Sequence, residues 1–139
     1  MSGPKPYIRS SYLMTHLVNP LVRRFGPVTT LTVVGRSSGQ PRPVPLGAPF
    51  EYAGRRYLVS GRGDTHWVRN LRAAGHANLR VHGRTERIQV QEVAGAEREA
   101  IVTAYRTSLG HSGEPFFRQI PDPADHPTFL IQPDETPTT

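Results

Sequence analysis

The sequence predicts a mainly β, single-domain protein: about six short antiparallel strands closing into a small barrel, with helices between and outside them. Three observations carry that expectation. β-Branched or alternating runs recur along the chain, and glycine turns part them. Helix signals with clear stops are confined to a few segments. At 139 residues and 15.4 kDa, with no internal repeat and no linker, the length allows one core.

Residues 1–6 read as a loose tail, residues 7–133 as the folded domain and residues 134–139 as a second tail. Leu13, Leu17, Leu21 and Phe25 fall at every fourth position, which predicts a helix over Tyr7–Phe25, kinked at Pro20 and ended by Gly26-Pro27. Val28–Val34 is β-branched and predicts the first strand, and Gly35–Pro41 is a loop of turn formers. Arg42–Phe50 carries Pro43, Pro45 and Pro49, which forbid helix and allow a strand only at an edge or with bulges. Ala53-Gly54-Arg55 predicts a hairpin turn before a strand at Tyr57–Ser60, and Gly61-Arg62-Gly63 breaks the chain. Asp64 is placed to cap a helix over Thr65–Ala74 that Gly75 stops, with Trp67, Leu71 and Ala74 on one face. Asn78–Val81 and Arg87–Val93 flank the turn at Gly83 as a hairpin. Glu97–Leu109 predicts another helix, ended by Gly110, and Thr128–Ile131 a last strand behind a turn-rich segment.

A composition 36% hydrophobic supplies a core and excludes a wholly disordered chain. There is no cysteine, so disulfides, thiolate metal sites and thiol nucleophiles are excluded. No apolar run is long enough to span a membrane, and Met1–Ser10, with Pro4 and Pro6, lacks the apolar core of a secretory signal. A cytoplasmic protein is the expectation. The formal charge is +6, and of 17 cations only Lys5 is not an arginine. Residues 36–87 hold ten arginines against three acids, so the middle of the chain carries the whole excess. A solvated basic surface is the plainer reading; an anionic partner, gripped by forked guanidinium groups, is the sharper one.

Gly35-Arg36-Ser37-Ser38-Gly39 fits the G-x-S-x-G elbow of serine hydrolases, but that elbow needs a following helix, which Pro41, Pro43 and Pro45 forbid. As chemistry, two glycines and two hydroxyls between Arg36 and Arg42 offer N–H groups and cations to an oxyanion; as structure, they are an ordinary hairpin loop. Gly61-Arg62-Gly63 begins like a dinucleotide loop, yet His66 takes the third glycine slot and no parallel β-α-β unit surrounds it. The helix start beyond it favours anions, with Arg62 beside it. His16, His66, His76, His82, His111 and His126 have no metal-ligand spacing, so no metal is expected. The catalytic residue is not identifiable from these patterns. Trp67, the single tryptophan, reads first as core and second as the wall of a ligand slot. Aromatic residues do not interleave with the arginines, and no nucleic-acid partner is expected.

Two segments together carry a resemblance. Residues 31–46 (LTVVGRSSGQPRPVPL) and 58–75 (LVSGRGDTHWVRNLRAAG) resemble the deazaflavin (F420)-dependent nitroreductase family, with its G-R-x-S/T-G-x-x-R-x-x-P-L and W-x-x-N-L patterns. The likeness covers roughly residues 10 to 133. It implies a split β-barrel of the pyridoxamine-phosphate-oxidase type, coenzyme F420 as cofactor, and hydride transfer between the reduced deazaflavin and a quinone, enone or nitro-compound. By matched position it implies that Arg36, Ser37, Ser38, Gln40 and Arg42 hold the phosphate and nearby tail. Pro45 and Leu46 would flank the ring pocket, Gly61 and Arg62 would stand beside ring and phosphate, and Trp67, Asn70 and Arg72 would complete the site.

The chain also departs from that pattern. The turn Gly61–His66 is about three residues shorter, Asp64 replaces its second glycine, and Phe116 and Phe117 stand where tyrosines would face a substrate; Tyr105 is the nearest phenol. The alternatives are a split barrel binding flavin mononucleotide (FMN) or haem, an F420 carrier without turnover, and, more remotely, a nucleic-acid binder. Expected partners are a small-molecule substrate, a second copy of the chain in a homodimer, and a peripheral membrane contact through the Leu13/Leu17/Leu21 stripe.

Overall fold

The computed structural model describes residues 29–133. The expected helix over Tyr7–Phe25, its leucine stripe and both tails lie outside the described residues. Seven strands form one antiparallel sheet: β1 (Thr29–Val34), β2 (Pro41–Leu46), β3 (Phe50–Tyr52), β4 (Arg55–Val59), β5 (His76–Val81), β6 (Arg84–Val93) and β7 (Thr128–Pro133). Their order is β2-β1-β5-β6-β7-β4-β3. The helices are α1 (His66–Ala74), α2 (Gly95–Leu109) and the short α3 (Glu114–Gln119).

The sequence expectation of about six strands becomes seven because Arg42–Phe50 is not one strand. Gly47, Ala48 and Pro49 part β2 from β3, which then pairs with β4. The two pieces end at opposite edges of the sheet, so the barrel is split rather than closed. In β2 the prolines fall at 41, 43 and 45. A residue's N–H and C=O leave a strand on the same side, so a ladder to β1 runs through Arg42, Val44 and Leu46, opposite Val33, Leu31 and Thr29. The prolines turn a donor-free edge outward, which blunts it against pairing with another chain. Two hairpins close through two-residue turns with both φ positive: Ala53-Gly54 (53° and 78°) and His82-Gly83 (49° and 81°). That is the turn whose twist suits adjacent antiparallel strands.

Each face of the sheet has its own helix. Alternation along the strands sends Leu31, Val33, Leu58, Ala77, Leu79, Ile88, Phe129 and Ile131 to one face, where α1 adds Trp67, Val68 and Leu71. Leu31, Val68, Leu71, Leu79 and Ile88 are wholly buried there, and each such side chain contributes about 1.5–3 kcal/mol. On the other face α2 places Ile101 against Tyr57 and Val93, with Phe50, Tyr52, Val59 and Leu130 around them. Gly75 ends α1 in the left-handed conformation, its N–H donating to the Leu71 carbonyl. The N-terminal end of α1 differs from expectation. Thr65 is the cap residue, and the Asp64 carboxylate turns to Arg69 and Arg72 instead of the helix N–H groups. Phe116 and Phe117 are buried core; Phe117 stacks on His126 at 4.5 Å, under the Arg106 guanidinium.

Candidate functional site

The packing of α1 against β1 sets two turns side by side. One is the loop between β1 and β2. Its base closes through Gly35 N–H to the Gln40 carbonyl (2.9 Å) and Gly39 N–H to the Gly35 carbonyl (3.0 Å), while Gln40 N–H donates to Ser38 Oγ (3.2 Å). A Cβ on Gly35 would come within 2.6 Å of Ser38 Oγ, so a larger residue there would displace the Ser38 hydroxyl. The loop runs on into β2, which leaves no helix behind Ser37 and removes the hydrolase elbow.

The second turn, Ser60–Thr65, is held from below. Ser60 Oγ donates to the Gly63 carbonyl (2.5 Å), and Ser60 N–H donates to the Pro127 carbonyl. His126, wholly buried, sets its two ring nitrogens 2.9 and 2.7 Å from the carbonyl oxygens of Ser60 and Ile120. This scaffold fixes Arg62, which is 8% exposed, at the start of α1.

Between the turns lies a cleft of about 780 Å³. Arg36, Arg42 and Arg62 line it with Ser37, Ser38, Gly35, Thr65, His66, Asn70, Trp67, Pro43 and Val44. No carboxylate is among these described lining residues. Asn70, buried on α1, bridges to the loop: its Oδ1 accepts from Arg36 N–H (3.1 Å) and from Arg36 Nη1 (2.7 Å). Arg36 Nη2 lies 3.3 Å from His66 Nδ1. Arg42 and Ser37 also face the cleft, Arg42 from the start of β2 and Ser37 from the loop. Trp67 fills both roles considered for it, being 6% exposed in the core and lining the cleft.

Seven of the twelve residues singled out in sequence line this cleft: Arg36, Ser37, Ser38, Arg42, Arg62, Trp67 and Asn70. The other five do not. Gln40 closes the loop base, Gly61 opens the second turn, and Pro45 and Leu46 lie farther along β2, Leu46 against the core. Arg72 points elsewhere because Glu92 on β6 takes it in a fork (2.7 and 2.8 Å) and Asp64 meets it at 3.4 Å. The hydrogen bond it donates to Glu92, before all else, raises its pKa. The loop amides expected to be bare are largely used internally, Arg36 N–H by Asn70 and the glycines by the loop itself. His66 and Thr65 were missed as lining residues. The signal was present: His66 stands four residues before Asn70, on the same helix face.

Tyr105 is not at the cleft. It sits edge-on to Phe50 on α2, and burial pushes its phenol up to about 12. Among the described residues no group of three or more His, Asp or Glu side chains is placed to hold a metal, and no helix is long and apolar enough to cross a membrane.

The F420H(2)-dependent quinone reductase family matches residues 12–111, a span that includes both turns and the whole cleft. The chain belongs to that family. It is thus an F420-dependent reductase, and the family name carries F420 as its cofactor. The fold agrees with solved split barrels. This family member is similar to an F420-H2 dependent reductase, FDR-A, at 22% identity and a TM-score of 0.57, over 76% of this chain and 94% of that one. It is similar to a domain-swapped dimer at 20% identity and 0.56, over 88% and 92%. A third similar structure is the haem storage protein HutZ from Vibrio cholerae, at 12% identity and 0.55, over 86% and 89%. At such identities the likeness speaks for the fold alone. No curated protein matches the chain significantly.

Proposed function

We propose that the cleft between the two turns holds F420 by its phosphate and acidic tail, and that the chain serves hydride transfer to an electron-poor small molecule: a quinone, an enone or a nitro-compound. One observation supports this above the others: three arginines line a cleft whose described lining residues include no carboxylate. Guanidinium groups gathered around one cleft concentrate positive charge there, and a bound oxyanion is drawn to it by charge-assisted hydrogen bonds. The cleft's volume of about 780 Å³ lies within the range of cofactor pockets, roughly 300–1,000 Å³. Pro43, Val44 and the Trp67 indole give it an apolar wall for a planar ring.

Within this reading Arg36, Arg42 and Arg62 bind the anion, and the N–H and hydroxyl of Ser37 add donors. Asn70 orients Arg36 through two hydrogen bonds. Trp67, Val44 and Pro43 exclude water from one side of the ring. When bound, the reduced deazaflavin supplies the hydride from its C5; the protein's share is placement. Residues 7–133 act as one cofactor-binding domain, and the chain works as a cytoplasmic homodimer whose N-terminal leucine stripe rests on a membrane surface or covers the substrate.

Isothermal titration with F420, FMN and haem tests the cofactor. Binding of F420 in preference to the other two is expected; preference for FMN or haem would replace the reading. Anaerobic oxidation of the reduced cofactor by a panel of quinones, enones and nitro-compounds then names the acceptor class. A titratable F420 complex that oxidises with none of them would make the chain a carrier.

A further inference from the structure

His66 stands in the cleft in an arrangement that depends on its own charge. Its side chain is exposed at the first turn of α1, and its Nδ1 lies 3.3 Å from Arg36 Nη2. Guanidinium nitrogens only donate, so a hydrogen bond in this contact needs Nδ1 as its acceptor, a role that an imidazole with its proton on Nε2 can fill. The same guanidinium donates to Asn70 Oδ1 through Nη1. Arg36 is therefore held against α1, at the cleft wall, by two acceptors on one helix face, His66 and Asn70.

Protonation removes one of the two. An imidazolium has no lone pair for Arg36, and it becomes a second cation 3.3 Å away. No carboxylate lines the cleft to compensate it. The charged groups around it are Arg36 and Arg42 from the β1–β2 loop, Arg62 and Asp64 from the second turn, and Arg69 one turn along α1. Asp64 is engaged by Arg69 and Arg72, at 3.4 Å each. Among the described side chains that line the cleft, His66 is the one of a type whose charge can switch near neutral pH, since arginine stays protonated throughout.

We propose that His66 is the proton-linked element of the anion site: neutral, it parks Arg36 on α1; protonated, it releases Arg36 and faces the bound anion as an additional cation. The inference rests on reading the cleft as an anion site. Anion binding and protonation of His66 then favour each other, so binding strengthens as pH falls and takes up a proton. For the bound cofactor, this ties the grip on its phosphate to pH without any residue touching the reacting ring.

The probe is sulfate, which keeps its charge across the range, whereas inorganic phosphate titrates within it. Titration of the full-length chain with sulfate at pH 8 and pH 6 is expected to show about three- to tenfold tighter binding at the lower pH, the range for one added cation near the surface. Buffers of different ionisation enthalpy should report net proton uptake. His66→Gln should bind sulfate equally at both values, near the pH 8 affinity of the parent. His66→Lys, a permanent cation, should bind equally at both values near the pH 6 affinity. The NMR shifts of the His66 ring in the parent chain, moving toward the imidazolium form on sulfate addition, need no variant at all.

An affinity that does not change with pH, absence of sulfate binding, or a pH dependence that survives in His66→Gln overturns the proposal. F420 titrated at pH 8 separates the two readings. If F420 fails to bind there while the sulfate results hold, the cofactor assignment falls and the proton link stands. If F420 binds and sulfate shows no pH dependence, the reverse follows.

Discussion

Helix α1 divides two populations of arginine that look alike in sequence. On one side Arg36, Arg42 and Arg62 share a cleft with no acid. On the other, Arg69 and Arg72 meet Asp64, and Arg72 also grips Glu92, at 2.7 to 3.4 Å. The second group has its counter-charges built in and ties three parts of the fold together: the Ser60–Thr65 turn, α1 and β6. In the first, Arg36 is tethered by neutral acceptors, Asn70 and His66. An arginine that spends its charge on a carboxylate of the fold serves structure, and one held by neutral acceptors, as Arg36 is, keeps its charge for a solute. The basic stretch from residue 36 to 87 is thus two devices rather than one patch.

The sharpest way to break that contrast is to delete one cation from each side. Arg36→Ala should weaken F420 binding by about 1–3 kcal/mol, the worth of a charge-assisted hydrogen bond. Arg72→Ala should leave the affinity within about twofold and lower the melting temperature instead, because it strands Glu92 and Asp64. Titration calorimetry and thermal melts on both variants decide it. Equal losses of affinity would mean that the two populations act together.

Asn70→Ala probes how the cleft side is kept ready. It removes the acceptor of two Arg36 hydrogen bonds and should cost about 1–2 kcal/mol of stability along with part of the affinity. In a double-mutant cycle with Arg36→Ala the affinity losses should be less than additive, since Asn70 acts through Arg36. Additive losses would place Asn70 in direct contact with the ligand. Asp64→Asn, on the paired side, should lower stability by about 1 kcal/mol, as long contacts to a mostly buried carboxylate are lost, with cofactor affinity unchanged.

The sequence carried the strands and the cleft unequally. β1, the β5–β6 hairpin and α1 were legible because alternation, turn glycines and a helix stop are local signals. β2 was legible only as an edge, because three prolines say where a strand cannot be, not which strand it joins. The division of Arg42–Phe50 into β2 and β3, at opposite sheet edges, depends on pairings with β1 and β4 that no local pattern encodes. Arg36, Arg42, Arg62, Trp67 and Asn70, far apart in the chain, line one cleft. Arg72 did not, because its fate turns on Glu92, twenty residues away on β6. Asp64 read as a helix cap from spacing alone, and two arginines outcompeted the helix N–H groups for it.

The smallest expected effect tests whether an exposed, paired arginine far from the cleft behaves as the structural side predicts. Arg106 on α2 forks onto Glu114 at the start of α3, at 3.2 and 3.1 Å. The hydrogen bond from Arg106, above all, holds the Glu114 carboxyl below the usual carboxylate value. Its folded pKa is depressed, so the pair's contribution is complete above the unfolded carboxylate range and is lost as pH falls through the lower folded value. Melts of the parent chain and Glu114→Gln should therefore differ near neutrality and converge below pH 4, with a small gap because both partners are solvent-accessible. Salt should narrow that gap. F420 affinity should be the same in both proteins, since charge paired within the fold is not available to the cleft; an affinity that follows Glu114 would dissolve the distinction between the two arginine populations.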